Sequence, residues 1–232
     1  RGGWYAANAP LRDVHLNACI TTFNRQPYVL ANIERMRRLA VEVPSVSQAF
    51  RVTIVDNGRN LEVPPGEGVD VRVIPNPSLG GAGGFARGLM HARHDGWTSH
   101  VLFMDDDISM EVESVVRTIA LFRYSSDPQL CVHGAMISEE IPWMQFEAGA
   151  HYAWRYTYPL RAIGREDDLR DRITVLADEP ESDFEYTAWW FTAFPIEVGK
   201  DNPVPVFVRG DDVAFGLMHT GEHTITMKGV DR

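Results

Sequence analysis

Three adjacent carboxylates, Asp105-Asp106-Asp107, directly follow the apolar run Val101-Leu102-Phe103-Met104. Like charges crowded at the end of a buried strand repel one another and call for a compensating cation. Mg2+ or Mn2+, held by one or two carboxylates and completed by the oxygens of a diphosphate, is the usual chemistry of such a group. Capping of a following helix by Asp107 explains one of the three acids and leaves the other two unexplained. Upstream lies Leu79-Gly80-Gly81-Ala82-Gly83-Gly84-Phe85, between a strand pattern and a helix pattern. Its glycines admit close approach of a ligand, and a helix N-terminus suits a phosphate, yet a tight structural turn explains glycine pairs about as well. It is neither the Walker pattern nor the spaced dinucleotide fingerprint. Asp211-Asp212 closes the strand-like Val206-Phe207-Val208. Two accounts stand side by side there: a helix cap with a dipole-favoured acid, worth ~0.5–2 kcal/mol, or a general base next to a group that accepts a substrate hydroxyl. Trp189-Trp190-Phe191 reads first as core packing, although indoles also stack on the apolar faces of sugars. His219 and His223 have no Cys or carboxylate at ligand spacing and read as helix-end or loop histidines.

The elements that must position these residues alternate. His15–Thr22, Phe50–Val55, Val69–Ile74 and Val101–Met104 read as strands. Pro27 opens a helix carrying Val29, Ile33, Met36 and Leu39, and further helices are expected over Phe85–His94, after an Asn76–Gly84 loop, and over Glu111–Tyr124. Such alternation argues for an α/β fold of βαβ units around a mostly parallel sheet, whose ligands bind at the carboxyl edge of the strands. The polar, acidic stretch 151–187 shows little periodicity and is expected to be a long loop or an excursion over the second substrate. With 232 residues and 44% apolar side chains the chain can bury a full core. Its 22 basic and 32 acidic residues leave a net charge of −10, which argues against nucleic acid as a partner. Cys19 and Cys131 lie in apolar runs and read as buried free thiols of a reducing compartment rather than a disulfide framework. No apolar run approaches the ~18 residues of a membrane span.

Taken in order, Ile20-Thr21-Thr22-Phe23-Asn24-Arg25, Val55-Asp56-Asn57-Gly58, the Gly80–Phe85 segment, Phe103–Ile108, the paired tryptophans and Arg209–Gly216 resemble glycosyltransferase family 2 with the Rossmann-like GT-A fold. They are most like the bacterial galactofuranosyltransferases, and the resemblance covers about residues 15–230. It implies a mostly parallel central sheet flanked by helices. It also implies nucleotide contacts from Thr22, Phe23, Arg25, Asp56, Gly80, Gly81, Asp105 and Asp106, and a metal, Mg2+ or Mn2+, on Asp105 and Asp107. Asp212 matches the family's general base, with Asp211 beside it, and Trp189 and Trp190 match acceptor-side aromatics. The activity implied is inverting transfer of a hexosyl unit, galactofuranose from a UDP-sugar, to a hydroxyl of a glycan or lipid-linked acceptor in the cytoplasm. The resemblance leaves room for peripheral association with the inner face of the plasma membrane and for oligomers. Two departures stand out: Ser78 replaces an Asn common in relatives, with Asn76 nearby, and the metal-binding His that follows the strand matching Thr224–Gly229 is expected beyond Arg232. Residues 1–14 are expected to be the trailing edge of a preceding region, and 15–232 a catalytic domain whose C-terminus is truncated. A sugar-nucleotide pyrophosphorylase is the competing enzyme, though Gly80–Gly84 holds no basic residue to activate a triphosphate. A silent nucleotide- or glycan-binding domain is the competing binding module.

Overall fold

The computed structural model describes residues 9–152, 160–161, 166–177, 185–207, 209–219 and 224–227. In chain order the elements are β1 (Leu16–Thr22), α1 (Gln26–Glu42), α2 (Pro44–Ser47), β2 (Phe50–Asp56), β3 (Asp70–Pro75), α3 (Gly80–His94), β4 (His100–Asp105) and α4 (Glu113–Tyr124). They are followed by β5 (Cys131–Gly134), β6 (Met136–Ile137), β7 (Met144–Glu147), β8 (His151–Tyr152), β9 (Leu160–Arg161) and β10 (Asp167–Asp168). The last are α5 (Arg172–Ala177), β11 (Phe191–Pro195), α6 (Asp211–Met218) and β12 (Thr224–Met227). Among the described residues the main sheet has the order β12-β5-β11-β4-β1-β2-β3. β11 runs antiparallel to both β4 and β5, and the other pairings are parallel.

The central strands are buried on both faces, which is why β1, β2 and β4 read as unbroken apolar runs rather than alternating ones. Side chains still divide by face. Leu102 and Met104 join Ile20, Ile54, Phe191 and the apolar stripe of α1, while Val101 and Phe103 join Phe85, Leu89, Trp189, Phe194 and Phe215 under α3 and α6. α1 opens with Pro27 in its first turn and buries Val29, Ile33, Met36 and Leu39, as the spacing predicts. Both cysteines are buried free thiols, and burial pushes the Cys19 thiol up to about 12, which leaves it inert.

The glycine segment departs from expectation. It is not a loop: α3 starts at Gly80, so Gly80–Gly84 forms the first turns of the helix. Glycine is a poor helix former in isolation, but here packing decides. A Cβ at Gly84 would collide with the side chain of Thr21, and one at Gly88 would meet Cys19 at 3.2 Å, so the missing side chains let α3 lie close on β1. Likewise, the 151–187 stretch holds β8, β9, β10 and α5 among its described residues. No described helix is long and apolar enough to cross a membrane.

Candidate active site

Parallel register gathers the chemistry at one edge. Thr22 on β1 pairs with Asp56 on β2, and Thr21 pairs with Asp105 on β4, so all three strands end together. The antiparallel β11 delivers the tryptophans to the same edge: Phe191 pairs with Met104, and the Asp105 N–H donates to the Trp190 carbonyl at 3.4 Å. Asn32, buried on α1, donates to the Ile108 carbonyl at 2.9 Å and fixes the chain just after the three acids.

Burial, and then the charges of Asp107, Asp106 and Asp212, push Asp105 up to about 7. Asp106 is buried and also raised, although the Thr22 hydroxyl and the Arg25 guanidinium pull the other way. Arg25 is half-exposed and forms ion pairs with Asp106, at 3.2 Å, and with Asp107. It therefore faces the acidic cluster, while Phe23 beside it is exposed. Among the described residues no three His, Cys, Asp or Glu side chains converge as a ready metal site. The donor set still fits a hard divalent cation: these are carboxylate oxygens, crowded enough to hold back one ionisation and to draw a guanidinium onto two of them.

Asp56 takes a different part from the nucleotide contact expected of it. It is buried, and both oxygens are already engaged, accepting the N–H groups of Gly58, Arg59, Asn60 and Leu61 at 2.7–2.9 Å. Its carboxylate shapes the loop after β2 instead of facing outward. Asn76 is occupied too, donating to Asn57 Oδ1 at 2.8 Å and to the Pro77 carbonyl, while Asn57 donates to the Gly80 carbonyl. Asn76 thus clamps the loop to the start of α3 and is not a free substitute for the Asn that Ser78 replaces.

Gly80 and Gly81 do permit a close approach, and the segment leading into α6 makes it. Gly80 has φ +71°, and its Cα faces the Phe207 carbonyl; a Cβ at Gly81 would lie 3.1 Å from Asp211 Oδ2. The N-cap of α6 is Gly210, at φ +89°, with no side-chain cap bond, so Asp211 and Asp212 occupy the first turn rather than the cap. Capping therefore does not account for the pair; only the helix dipole remains on the structural side. Asp212 Oδ1 accepts the Val213 N–H at 2.8 Å and Oδ2 accepts the Tyr186 hydroxyl at 3.2 Å. Burial first, and Asp211 as well, raise Asp212, and those two donors lower it. Burial and the charges of Asp212 and Glu147 drive the Tyr186 phenol far up, so it remains a donor.

The tryptophans separate. Trp189 is 5% exposed and packs edge-on against Phe85, Phe103 and Phe215 at 4.9–5.6 Å, so the expectation of an acceptor-facing residue is corrected to a core residue by this aromatic cluster. Trp190 is only partly buried, donates from Nε1 to the Gly134 carbonyl at 2.7 Å, and meets the site through its own carbonyl on the Asp105 N–H. His219 packs on Phe215 at 4.4 Å and is lowered by burial, as a helix-end histidine should be. His223 lies outside the described residues. A small pocket, partly open to solvent, is walled by Asp212, Tyr186, Trp189, Phe215 and His219. Sequence reasoning missed Tyr186 and Glu147, both within or beside the stretch that shows no periodicity.

The glycosyl transferase family 2 model matches residues 18–175. The chain belongs to glycosyltransferase family 2. The galactofuranosyltransferase GlfT2 of Mycobacterium tuberculosis is 28% identical over 258 residues, covering 98% of this chain and 38% of the relative. GlfT2 of Mycolicibacterium smegmatis is 28% identical over 252 residues with the same coverages. The chain thus spans 38% of the length of these curated relatives. Among solved structures, the mannosyltransferase PcManGT from Pyrobaculum calidifontis, in complex with GDP-Man and Mn2+, superposes with TM-score 0.57 at 15% identity, covering 98% of this chain and 59% of that one. GalNAc-T7 with UDP, GalNAc and Mn2+ gives 0.56 at 12% identity, covering 96% and 43%; S. aureus TarS 1–349 gives 0.54 at 14%, covering 92% and 58%. The fold of this family-2 chain is GT-A: a mostly parallel sheet flanked by helices, with the acids at its carboxyl edge.

Proposed function

We propose that this family-2 chain is an inverting, metal-dependent transferase that moves galactofuranose from UDP-galactofuranose to a hydroxyl of a glycan or lipid-linked acceptor. The observation that carries the proposal is geometric: Asp105 ends β4 beside Thr21 of β1, and the segment leading into Asp211 and Asp212 packs on Gly80 and Gly81 at the head of α3, near enough that the Asp212 charge helps to raise Asp105. A donor-side acid and an acceptor-side acid are thus carried to the same side of the sheet by separate elements. The galactofuranosyl donor is supported by the names of the two relatives, and the divalent metal by the Mn2+ in two of the structural neighbours.

Asp105 and Asp107 would hold Mg2+ or Mn2+, which when bound supplies Lewis-acid stabilisation of the departing diphosphate. Arg25, already beside Asp106 and Asp107, stands where it can pair with phosphate oxygens. Asp212 takes the proton of the acceptor hydroxyl. The fixed donors Tyr186 and the Val213 N–H hold its carboxylate in orientation while leaving lone pairs on both oxygens. The same proposal puts the chain on the cytoplasmic side, at the inner face of the membrane where the acceptor is lipid-linked.

A thermal-shift panel of nucleotide sugars with Mn2+ tests the donor. Mass action gives roughly 2.7 kcal/mol at ~100 times the dissociation constant, so UDP-galactofuranose should raise the melting temperature most. A larger shift from a dTDP- or GDP-sugar overturns the assignment.

A further inference from the structure

Arg25 immediately precedes α1, and its carbonyl accepts the Tyr28 and Val29 N–H groups, so its backbone is anchored in the first turn of that helix. Its side chain makes no cap bond and is 51% exposed. Among the described residues its side-chain hydrogen bonds and ion pairs go to Asp106 Oδ1, at 3.2 Å, and to Asp107 Oδ2. These two acids differ in access, Asp106 being buried and Asp107 43% exposed at the side chain. The acids are also pinned from behind, since Asn32 donates to the Asp106 and Ile108 carbonyls at 3.4 and 2.9 Å. A fixed acidic turn thus faces a long cationic arm that is tied down at its backbone and open to solvent along its length.

That contact bears on the metal. Asp107 is one of the two carboxylates assigned above to the divalent cation. A guanidinium and a dication drawn onto one carboxylate are like charges a few ångströms apart, and each weakens the other's hold. Arg25 and the metal therefore compete for Asp107. A diphosphate changes the balance, because its oxygens accept from the guanidinium fork as a carboxylate does and carry more charge. Arg25 can pass from acid to diphosphate by turning about its own side-chain bonds, with α1 staying where it is.

We propose that Arg25 is a tethered counter-cation that holds Asp107 against the divalent metal until a nucleotide diphosphate draws it off, which makes nucleotide and metal binding cooperative. This rests on the transferase proposal and adds a regulatory step to its donor site. Metal arriving alone meets a carboxylate whose charge is already spent, and metal arriving with nucleotide meets a free one. By linkage the effect is mutual, so the metal tightens the nucleotide by the same factor. Arg25 positions charge here and takes no proton.

Calorimetric titration of the whole chain tests this, with Mn2+ and UDP each titrated alone and against a saturating amount of the other. Arg25→Gln should bind Mn2+ alone about tenfold more tightly than wild type, and within about threefold of wild type once UDP is bound. Equivalently, the substitution should weaken UDP about tenfold more with Mn2+ present than without it. Arg25→Lys replaces the fork by a point charge, so it bridges the two acids less well. It keeps a cation beside them and should fold where the amide does not, with a coupling factor part-way between. A gain in Mn2+ affinity that is the same with and without UDP overturns the inference by reducing Arg25 to a general positive charge. A weaker hold on Mn2+ alone in Arg25→Gln overturns it by making Arg25 an organiser of the acids. If wild type binds both ligands and transfers, yet every chain that folds shows the same coupling factor, this inference falls and the transferase proposal stands. If wild type binds neither Mn2+ nor UDP, both fall.

Discussion

Asp212 carries the chemistry in this account, and its surroundings separate base from helix decoration. Gly210 holds the cap position, and Asp212 is itself held by Tyr186 and the Val213 N–H. Asp212→Asn keeps shape and most of that bonding and removes basicity. It should melt within a few degrees of wild type, bind UDP and Mn2+ normally, and transfer ~10²- to 10⁴-fold more slowly, as measured by UDP release. Asp211→Asn should lose less. Glu147 adds a signature in pH. Burial and the Asp212 charge raise it from 4.5 to about 7, so in that interval the folded chain holds a proton that the unfolded chain has released. The stability this group contributes is complete below about 4.5 and is lost as the pH rises through about 7. The melting temperature of the metal-free wild type should therefore fall from pH 5 to pH 8, and that of Glu147→Gln should fall less. The acids that were legible in the sequence were the clustered ones, because two or three adjacent like charges at strand ends demand a reason. Glu147 and Tyr186 stand singly in stretches without periodicity, and no spacing rule picks them out. Asp56 was legible as an acid at a strand end, but not as the acceptor of four loop N–H groups, since that depends on how the following residues coil back.

At the scale of elements, the four strands and three of the helices followed from apolar runs, alternation and Pro27. The start of α3 did not. Helix propensity puts glycine pairs outside a helix, whereas the contacts of Gly80, Gly84 and Gly88 show that tight seating on β1 and against residue 207 governs instead. Gly80→Ala sets a Cβ against the Phe207 carbonyl at φ +71°. The backbone conformation alone costs about 1–2 kcal/mol, to be read from the urea midpoint. Because the displaced segment leads into Asp211 and Asp212, transfer should drop by more than this loss of stability explains in the folded fraction. The tryptophan pair makes the complementary case. Trp189→Ala should destabilise by ~3–5 kcal/mol, as loss of a buried aromatic does. Trp190→Phe retains most of the packing and loses the bond to the Gly134 carbonyl, so its larger effect should be on the acceptor KM. Two adjacent indoles look alike in a sequence; only the antiparallel placement of β11 decides which one the core takes.

For the molecule as a whole, the decisive feature is convergence. Parallel strands β1, β2 and β4 end in register, the reversed strand β11 brings Trp190 to the Asp105 backbone, and the segment before α6 leans on the glycines of α3 to carry Asp212 across. The α/β class and the carboxyl edge were readable from alternation alone. The closing of that edge by β7, Tyr186 and α6 was not, because it joins parts of the chain separated by long, irregular connections. The measurement that bears most directly on the proposed chemistry is the anomeric configuration of the product formed from UDP-galactofuranose and methyl β-galactofuranoside with Mn2+, read by NMR. A single displacement assisted by Asp212 predicts a new glycosidic bond of configuration opposite to that of the donor. A product that retains the donor's configuration, or no glycosidic product at all, would contradict the account.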